Sequence, residues 1–178
     1  INDVLDMSRI ESGQMELQER RFDIDDVVGG VEAIIRPQAQ AKSQELRIDC
    51  SKMKHKAFSG DELRISQILL NLASNAVKYT QENGKIVVRL EAEDNHFRLS
   101  VFNSGSYIST TDVEAIFERF YQVDGHQAGT GIGLALVRAF VEMHGGNIMA
   151  HSNEKGTTFT VTLPKRDTSQ YHPAVPAL

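Results

Sequence analysis

The segment DELRISQILLNLASNAVKYT, residues 61–80, has the spacing of an amphipathic helix with an unusual polar side. At 100° per residue, one side is apolar and carries Ile65, Ile68, Leu69, Leu72, Ala73 and Ala76. A second side carries Arg64, Gln67, Asn71, Asn75 and Lys78. Asparagine competes with the backbone for hydrogen bonds and is mildly unfavourable inside a helix. The pair Asn71 and Asn75, one turn apart, therefore predicts a function for two side-chain amides.

Composition sets the class of protein. The 178 residues, 40 % hydrophobic and 24 % charged, suit one globular domain with a short appendage. A formal net charge of -5 argues against a nucleic-acid binder, which normally has a basic face. The single cysteine, Cys50, excludes an internal disulfide framework and a multi-cysteine zinc site. No apolar run approaches the roughly 20 residues that span a bilayer, and no signal peptide is recognisable.

The first residues predict the end of a helix. Ile1, Val4 and Leu5 recur at helical spacing within residues 1–12, and Gly13 follows as a candidate C-cap. The chain does not begin with Met, so we expect it to be a piece of a longer protein.

A second helix and several strands surround residues 61–80. The second helix carries Val27, Val28, Val31, Ile34 and Ile35. Pro37 is expected to kink or end it, because proline lacks the donor of an intrahelical hydrogen bond. ELRIDC (45–50) and KHKAF (54–58) predict two short strands, and residues 84–103 predict a hairpin around the turn-prone EDN.

The C-terminal part predicts two more helices and two strands. Residues 112–121 read as a short helix, with Thr111 and Glu114 as a capping box. A glycine-rich segment then leads into a helix closed by Gly145 and Gly146. The last predicted strands are NIMAHS (147–152) and GTTFTVTLP (156–164), and the tail after them has no apolar period.

Glycines 129, 131 and 133 stand directly before this last helix. Such a segment can turn backbone N–H groups and the positive end of a helix toward a phosphate, but it can equally form a plain tight turn. On the helix 61–80, the Asn75 amide oxygen is a suitable Mg²⁺ ligand, and Lys78 can meet a phosphate as a point charge. A solvated polar helix face is the alternative reading.

Considered together, these motifs resemble those of one family. DELRISQILLNLASNAVKYT resembles the N box of sensor histidine kinases, IFERFYQ (116–122) their F box, and GTGIGLALV (129–137) their second glycine box. LDMSRIESGQMEL (5–17) resembles the end of their dimerisation helix, and residues 144–164 resemble their last strands. The motifs stand in the family's order and cover about residues 1–164.

The resemblance implies a fold and a division of the chain. The fold is an α/β (α+β) two-layer sandwich, in which a mixed β-sheet carries helices on one face and a mobile lid covers ATP. Residues 1–20 would be the end of the dimerisation helix and a linker, residues 21–165 the catalytic ATP-binding domain, and residues 166–178 a linker or tail.

The resemblance also implies ATP and Mg²⁺ as cofactors and assigns their contacts. Asn75 would coordinate Mg²⁺, Lys78 would touch a phosphate, and Tyr79 would flank the adenine. Phe117 and Phe120 would anchor the lid. The other implied nucleotide contacts are Asn71, Asn103, Gly105, Tyr107, Ile108, Gly129, Thr130, Gly131, Ile132, Gly133, Leu134 and Thr157.

FNSGSYI, residues 102–108, departs from the family's first glycine box, which usually reads Asp-x-Gly-x-Gly. Asn103 replaces the aspartate that accepts from the adenine amino group, Tyr107 replaces the second glycine, and Gly105 is retained. An amide can still accept, but it lacks the charge and can rotate to donate instead. We therefore expect weaker discrimination against guanine than an aspartate gives. Tyr107 either packs on the base or stiffens the lid.

Asn71 distinguishes two kinds of chemistry. Related gyrase- and Hsp90-type ATPases have a glutamate general base at this place, and an amide cannot accept that proton. The sequence therefore predicts that ATP is held for transfer elsewhere rather than to water. The resemblance implies that the acceptor of the γ-phosphate is a histidine on a dimerisation domain. None of the six histidines, His55, His96, His126, His144, His151 and His172, lies in the Ser-His-Glu-like context of the acceptor. A non-catalytic nucleotide-binding or interaction module is the alternative, because of the altered glycine box.

Partners and location follow from the resemblance alone. It implies a dimerisation domain of the same parent protein and the receiver domain of a response regulator as partners. This chain would be largely monomeric, although the parent would be a homodimer. The parent would be a membrane-anchored sensor with this part in the cytoplasm.

Overall fold

The chain forms a five-stranded mixed sheet with helices against one face, in a computed structural model that describes residues 3–123 and 131–165. The helices are α1 (Asp3–Glu11), α2 (Ile24–Ala41), α3 (Glu62–Tyr79), α4 (Asp112–Ala115) and α5 (Gly133–Met143). The strands are β1 (Arg20–Asp23), β2 (Glu45–Lys52), β3 (Ala57–Gly60), β4 (Lys85–Ala92), β5 (His96–Ser104), β6 (Asn147–Asn153) and β7 (Gly156–Pro164).

The large sheet has the strand order β2-β4-β5-β7-β6. β2 and β4 are parallel, and the other neighbours are antiparallel, so the sheet is mixed. β1 and β3 form a separate antiparallel pair in which Phe22 lies opposite Phe58. The hairpin predicted over residues 84–103 is present as β4 and β5.

Alternation along the strands selects the buried face of the sheet. On β4 the buried residues are Ile86, Val88 and Leu90, and on β7 they include Phe159, Val161 and Leu163. Helices α2, α3 and α5 contribute the facing apolar residues, among them Ile35, Leu72 and Phe140. This arrangement confirms the two-layer α/β sandwich. None of the helices described here is long and apolar enough to cross a membrane.

Helix α3 is held at both ends. The Asp61 carboxylate accepts from the N–H groups of Arg64, at 3.2 Å, and Gln18, at 2.8 Å. At the other end, Lys42 Nζ donates to the Val77 carbonyl at 2.6 Å, and Gln44 Nε2 donates to the same oxygen at 3.0 Å. These contacts satisfy backbone groups that a helix end leaves without partners and fix the last turn of α3.

Of the two outcomes expected at Pro37, a kink or the end of the helix, the second is wrong: α2 continues to Ala41. Ile35 and Ala39, on either side of the proline, are 1 % and 0 % exposed. Burial of these side chains outweighs the intrahelical hydrogen bond lost at the proline.

Two further predictions about elements need correction. The helix expected over residues 112–121 stops at Ala115, and Thr111 makes no side-chain capping bond; Ser109 Oγ instead accepts from the Asp112 N–H at 3.3 Å. The strand expected at residues 54–58 lies at Ala57–Gly60, where it pairs with β1.

Helix α1 ends as predicted, and Gly13 has a φ of +71°. Two of the apolar residues of α1 do not face the domain, since Val4 and Leu5 are 52 % and 61 % exposed. The buried residues of α1 are Asp6 and Met7, and the Asp6 carboxylate lies 3.5 Å from the Arg64 guanidinium of α3.

Candidate nucleotide-binding site

A cavity of about 410 Å³ lies between α3, the end of β5 and the start of α5. Its volume is in the range of sites for small molecules. Eight predicted site residues line it: Asn75, Tyr79, Asn103, Gly105, Tyr107, Ile108, Leu134 and Thr157. Gln81, Ser106, Ile116, Tyr121 and Phe159 are among the other residues of its wall. The cavity therefore combines apolar walls with a few polar groups that can orient a ligand.

The other residues predicted on α3 lie outside the lining of this cavity. Asn71 is half-buried one turn before Asn75. Lys78 is exposed, and its Nζ lies 5.2 Å from the centroid of the Tyr79 ring. Since Tyr79 lines the cavity, Lys78 stands next to its wall.

The second glycine box is only partly described. Gly129 and Thr130 lie outside the described residues, as does the rest of segment 124–130, where the resemblance puts the lid. Ile132 is 1 % exposed and is not a cavity residue, and Gly133 begins α5. Helix α5 thus starts where the sequence predicts.

Gly131 contacts Phe120 and not the cavity. Its φ is +70°, and a Cβ built on it would lie 2.8 Å from Phe120 Cα. The Phe120 N–H donates to the Gly131 carbonyl at 2.9 Å, and Phe120, itself at a φ of 62°, has an exposed ring. Close packing at a tight turn explains this glycine.

A hydrogen-bonded network holds the polar end of the cavity. Asn103 is 4 % exposed, and its Nδ2 donates to Ser106 Oγ at 2.7 Å. Ser106 Oγ donates to Thr157 Oγ1 at 3.4 Å, and Thr157 Oγ1 donates to the Ser106 carbonyl at 3.1 Å. Ser152 Oγ lies 2.8 Å from Thr157 Oγ1 and accepts from the Ile108 N–H at 2.9 Å.

This network gives the Asn103 amide a direction. Ser106 has one hydroxyl proton, which it donates to Thr157, so it meets Asn103 as an acceptor. The amide nitrogen therefore faces Ser106, and the opposite end of the amide is its acceptor oxygen. The motif comparison did not single out Ser106 or Ser152; a hydroxyl three residues after Asn103 was the available signal for Ser106.

Two glycines allow the backbone to form this end of the cavity. Gly105 has a φ of +78°, which favours glycine over other residues. A Cβ on Gly156 would lie 2.1 Å from the Asn103 carbonyl oxygen. Gly156 therefore lets β7 approach β5 next to Asn103.

Tyr121 also forms part of the cavity wall, and its hydroxyl donates to the Asp112 carboxylate. Hydrogen bonds from Ser109 and then Tyr121 lower the pKa of Asp112, although burial raises it. The bond to Asp112 likewise raises the pKa of Tyr121. Because the carboxylate pKa is lowered in the folded chain, this contact is present at neutral pH and weakens as the pH falls through that lowered value.

The donor set of the cavity fits ATP and Mg²⁺. Asn103 and Tyr79 offer an amide oxygen and an aromatic ring, and Asn75 offers a second amide oxygen. Among residues 3–123 and 131–165, no group of three or more His, Cys, Asp or Glu side chains could hold a metal ion. A single protein ligand suits Mg²⁺, which fills its shell with phosphate oxygens and water.

Residues 60–167 match the family model of the histidine kinase-, DNA gyrase B- and HSP90-like ATPases. This match covers more than half of the 178 residues, and the chain therefore belongs to that family.

Curated relatives include sensor kinases. The chain is 37 % identical to the sensor histidine kinase GacS of Pseudomonas protegens, with 100 % of this chain and 21 % of the relative covered. It is 37 % identical to the histidine protein kinase DivJ of Caulobacter vibrioides, with 92 % and 28 % covered. The chain thus spans between 21 % and 28 % of the length of these relatives.

Solved structures show which type of protein within this ATPase family the chain resembles. The catalytic domain of histidine kinase ThkA is 30 % identical with a TM-score of 0.74, and the match covers 85 % of this chain and 99 % of that one. Full-length ShkA, solved in complex with AMPPNP, is 31 % identical with a TM-score of 0.83 over 93 % of this chain and 35 % of that one. Within its family, the chain is a catalytic domain of the histidine kinase type.

Proposed function

We propose that this chain binds Mg-ATP in the cavity between α3 and α5 and positions its γ-phosphate for transfer to a histidine on a dimerisation domain of the parent protein. The observation that carries the proposal is that one cavity is lined by both Asn75 of α3 and Asn103 of β5. The sequence motifs assign the Asn75 amide to the metal ion and the Asn103 amide to the adenine base. ShkA, a structural neighbour, was solved with the ATP analogue AMPPNP.

The adenine binds at the Asn103 end. The Asn103 oxygen accepts from the adenine amino group, since the amide nitrogen is held by Ser106. Ile108 and Leu134 supply apolar contacts, and Tyr79 lies beside the ring. Tyr107 packs on the base in this proposal, which its position on the cavity wall supports.

The triphosphate extends toward the α3 side and the second glycine box. Asn75 holds Mg²⁺, Lys78 adds a positive charge, and residues 129–134 wrap the phosphates, with Thr130 adding a hydroxyl. Mg²⁺ neutralises charge that develops on the transferred phosphoryl group. Asn71 occupies the position at which related ATPases have a glutamate general base. An amide cannot accept the proton of water, so attack by water is disfavoured.

Transfer to a partner requires parts outside this chain. We propose that residues 1–20 are the end of the dimerisation helix and its linker, that residues 21–165 form the catalytic domain, and that residues 166–178 are a linker or tail. The parent is a homodimer and a membrane-anchored sensor with this domain in the cytoplasm, and this chain alone is monomeric. Histidine kinase ThkA, 26 % identical with a TM-score of 0.76, was solved with response regulator TrrA, which supports a receiver domain as a partner.

No observation favours the non-catalytic alternative. The altered segment 102–108 still brings Asn103 and Gly105 to the cavity, and the substituted residues do not fill it. The relatives are named as kinases.

Asn75→Ala tests the proposed function. The variant should bind ATP in Mg²⁺ at least about tenfold more weakly, because the ion loses its protein ligand. Without Mg²⁺ the two proteins should bind ATP alike. Isothermal titration calorimetry, with and without Mg²⁺, measures both quantities.

Asn147→Ala is the matched control, because Asn147 is an exposed asparagine on β6 outside the cavity. It should bind as the wild type does. Equal affinity of wild type and Asn75→Ala in Mg²⁺ would remove Asn75 as the metal ligand.

A further inference from the structure

A second cavity, of about 430 Å³, lies at the end of β5 remote from Asn103. Phe97 on its wall is six residues from Asn103, which corresponds to roughly 20 Å along a strand. Its wall combines the β1–β3 pair, the segment before β3, the tip of the β4–β5 hairpin and the residue after β7. This cavity is therefore separate from the nucleotide site.

Four cationic side chains and a histidine line it: Arg21, Lys54, Lys56, Lys165 and His55. No carboxylate is among its lining residues in the described part of the chain. The protein has a formal net charge of -5, so a cavity lined by four cationic side chains is opposite in sign to the protein as a whole. Cations that converge from separate elements repel one another, and a bound anion relieves that repulsion.

Carboxylates of the protein neutralise the cationic side chains of this cavity only in part. Lys56 forms an ion pair with Asp25, whose hydrogen bond raises the pKa of the Lys56 ammonium. Within residues 3–123 and 131–165, no ion pair involves Arg21, Lys54 or Lys165. Lys165 instead lies over the Phe97 ring, with its Nζ 5.2 Å from the centroid.

The apolar part of the wall strengthens the field inside the cavity. Phe97, Ala57 and Ala92 present apolar surface, and the Phe97 ring lies 4.4 Å from that of Phe58, which is buried. Charges next to apolar surface interact more strongly than charges in open water. The Ser59 hydroxyl, directly opposite Arg21 in the β1–β3 register, adds a neutral donor.

We propose that this cavity binds a small molecule that carries two or more phosphate groups. The cations surround a concave volume in the size range of small-molecule sites, and a compact polyanion contacts several of them at once. Arg21 matches a phosphate with its planar fork, and Lys54 and Lys165 act as point charges. The proposal does not depend on ATP binding at the other cavity.

The test is an NMR titration of the ¹⁵N-labelled 178-residue chain with sodium pyrophosphate in Mg²⁺-free buffer. The amides of Ser59 and Phe97 report on the second cavity, and those of Gly105 and Thr157 report on the nucleotide site. Saturable shifts at Ser59 and Phe97 are expected. The double variant Arg21→Gln, Lys54→Gln should bind about tenfold more weakly, the usual effect of two exposed charge contacts.

The control double variant Arg47→Gln, Lys85→Gln removes the same two charges from exposed positions on β2 and β4. It should keep the wild-type affinity, and the spectra of both variants show whether they are folded. The proposal fails if Ser59 and Phe97 show no saturable shift, if pyrophosphate shifts only Gly105 and Thr157, or if both double variants lose affinity equally. Tighter binding of a hexaglutamate peptide than of pyrophosphate at Phe97 would also overturn it in favour of an acidic protein.

Discussion

At the scale of single residues, the altered glycine box, residues 102–108, takes part in a hydrogen-bonded network around Asn103. Rotation of a free amide would let Asn103 donate to guanine. In the structure such a rotation would turn the Asn103 oxygen toward Ser106 Oγ, whose proton is already donated to Thr157. Ser106 Oγ would then have to turn its proton to the Asn103 oxygen and give up the 3.4 Å bond to Thr157 Oγ1, so the rotation costs a hydrogen bond at a residue that is 4 % exposed. We therefore expect better discrimination against guanine than Asn103 alone predicts.

Ser106→Ala should reduce the preference for ATP over GTP. Without the Ser106 hydroxyl, the amide is free to rotate, and the loss of one buried hydrogen bond corresponds to about 1 kcal/mol, or roughly fivefold in the affinity ratio. ATP and GTP affinities of the variant, measured by calorimetry, give this ratio. Ser100→Ala, on β5 and outside the cavity, is the control. An unchanged ratio in Ser106→Ala would show that Ser106 does not orient Asn103.

The sequence motifs indicated that Asn103 and Thr157 belong to the site, but they did not predict that a hydrogen-bonded network links the two residues. Thr157 lies 51 residues from Ser106, and only the pairing of β5 with β7 brings the two together. Asn71, Asn75 and Lys78 were easier to relate because one helical repeat aligns them. Their distances from a common cavity depend on packing, and only Asn75 reaches its wall.

At the scale of elements, His144 joins the two helices that flank the nucleotide cavity. The residue is 2 % exposed at the end of α5. Its Nδ1 donates to the Phe140 carbonyl at 2.7 Å, and its Nε2 accepts from the Asp61 N–H, at the start of α3, at 3.2 Å. The ring therefore fixes the end of α5 against the N-terminus of α3.

His144→Leu should destabilise the domain by about 1–3 kcal/mol, because the buried Asp61 N–H loses its acceptor. Urea unfolding followed by circular dichroism measures the change. His151→Leu, at an exposed position on β6, should change stability by less than about 0.5 kcal/mol. Equal effects of the two substitutions would rule out a linking role for His144.

The elements show where local rules are sufficient. The helix predicted over residues 61–80 is present as Glu62–Tyr79, and it begins directly after Asp61 because the Asp61 carboxylate caps it. Pro37 does not end α2, because tertiary packing around Ile35 and Ala39 outweighs the local effect of proline. The helix predicted over residues 112–121 stops at Ala115, and near its predicted end Phe120 takes a positive φ, which no continuous helix allows and which its side chain does not indicate.

At the scale of the whole molecule, α1 is attached to the rest of the domain by charged contacts as well as by the buried side chain of Met7. Asp6 pairs with Arg64 of α3, and Glu11 pairs with Arg119, which follows α4. A carboxylate is usually read as solvent-exposed, so the apolar pattern pointed to Val4 and Leu5 instead. The order of the motifs was enough to predict the family from the sequence, whereas the orientation of α1 could be determined only from the structure.

The whole chain should not become stably phosphorylated on histidine by itself. Phosphoryl transfer needs a nucleophile in line with the γ-phosphate. None of the described histidines, His55, His96, His144 and His151, lines the nucleotide cavity. Labelled ATP should therefore leave no acid-labile label on the isolated chain. Such a label would show that one of its own histidines is an acceptor.

Addition of the parent's separately purified dimerisation domain should restore transfer. That domain supplies the acceptor histidine, and this chain supplies bound ATP, so acid-labile label should appear on the dimerisation domain and depend on Mg²⁺. Asn75→Ala should reduce this label at least about tenfold in parallel with the loss of Mg-ATP affinity, whereas Asn147→Ala should not. If ATP binds to the chain but no label reaches the dimerisation domain, the chain is a nucleotide-binding module without kinase activity, because the cavity then holds the nucleotide in a geometry that does not support transfer.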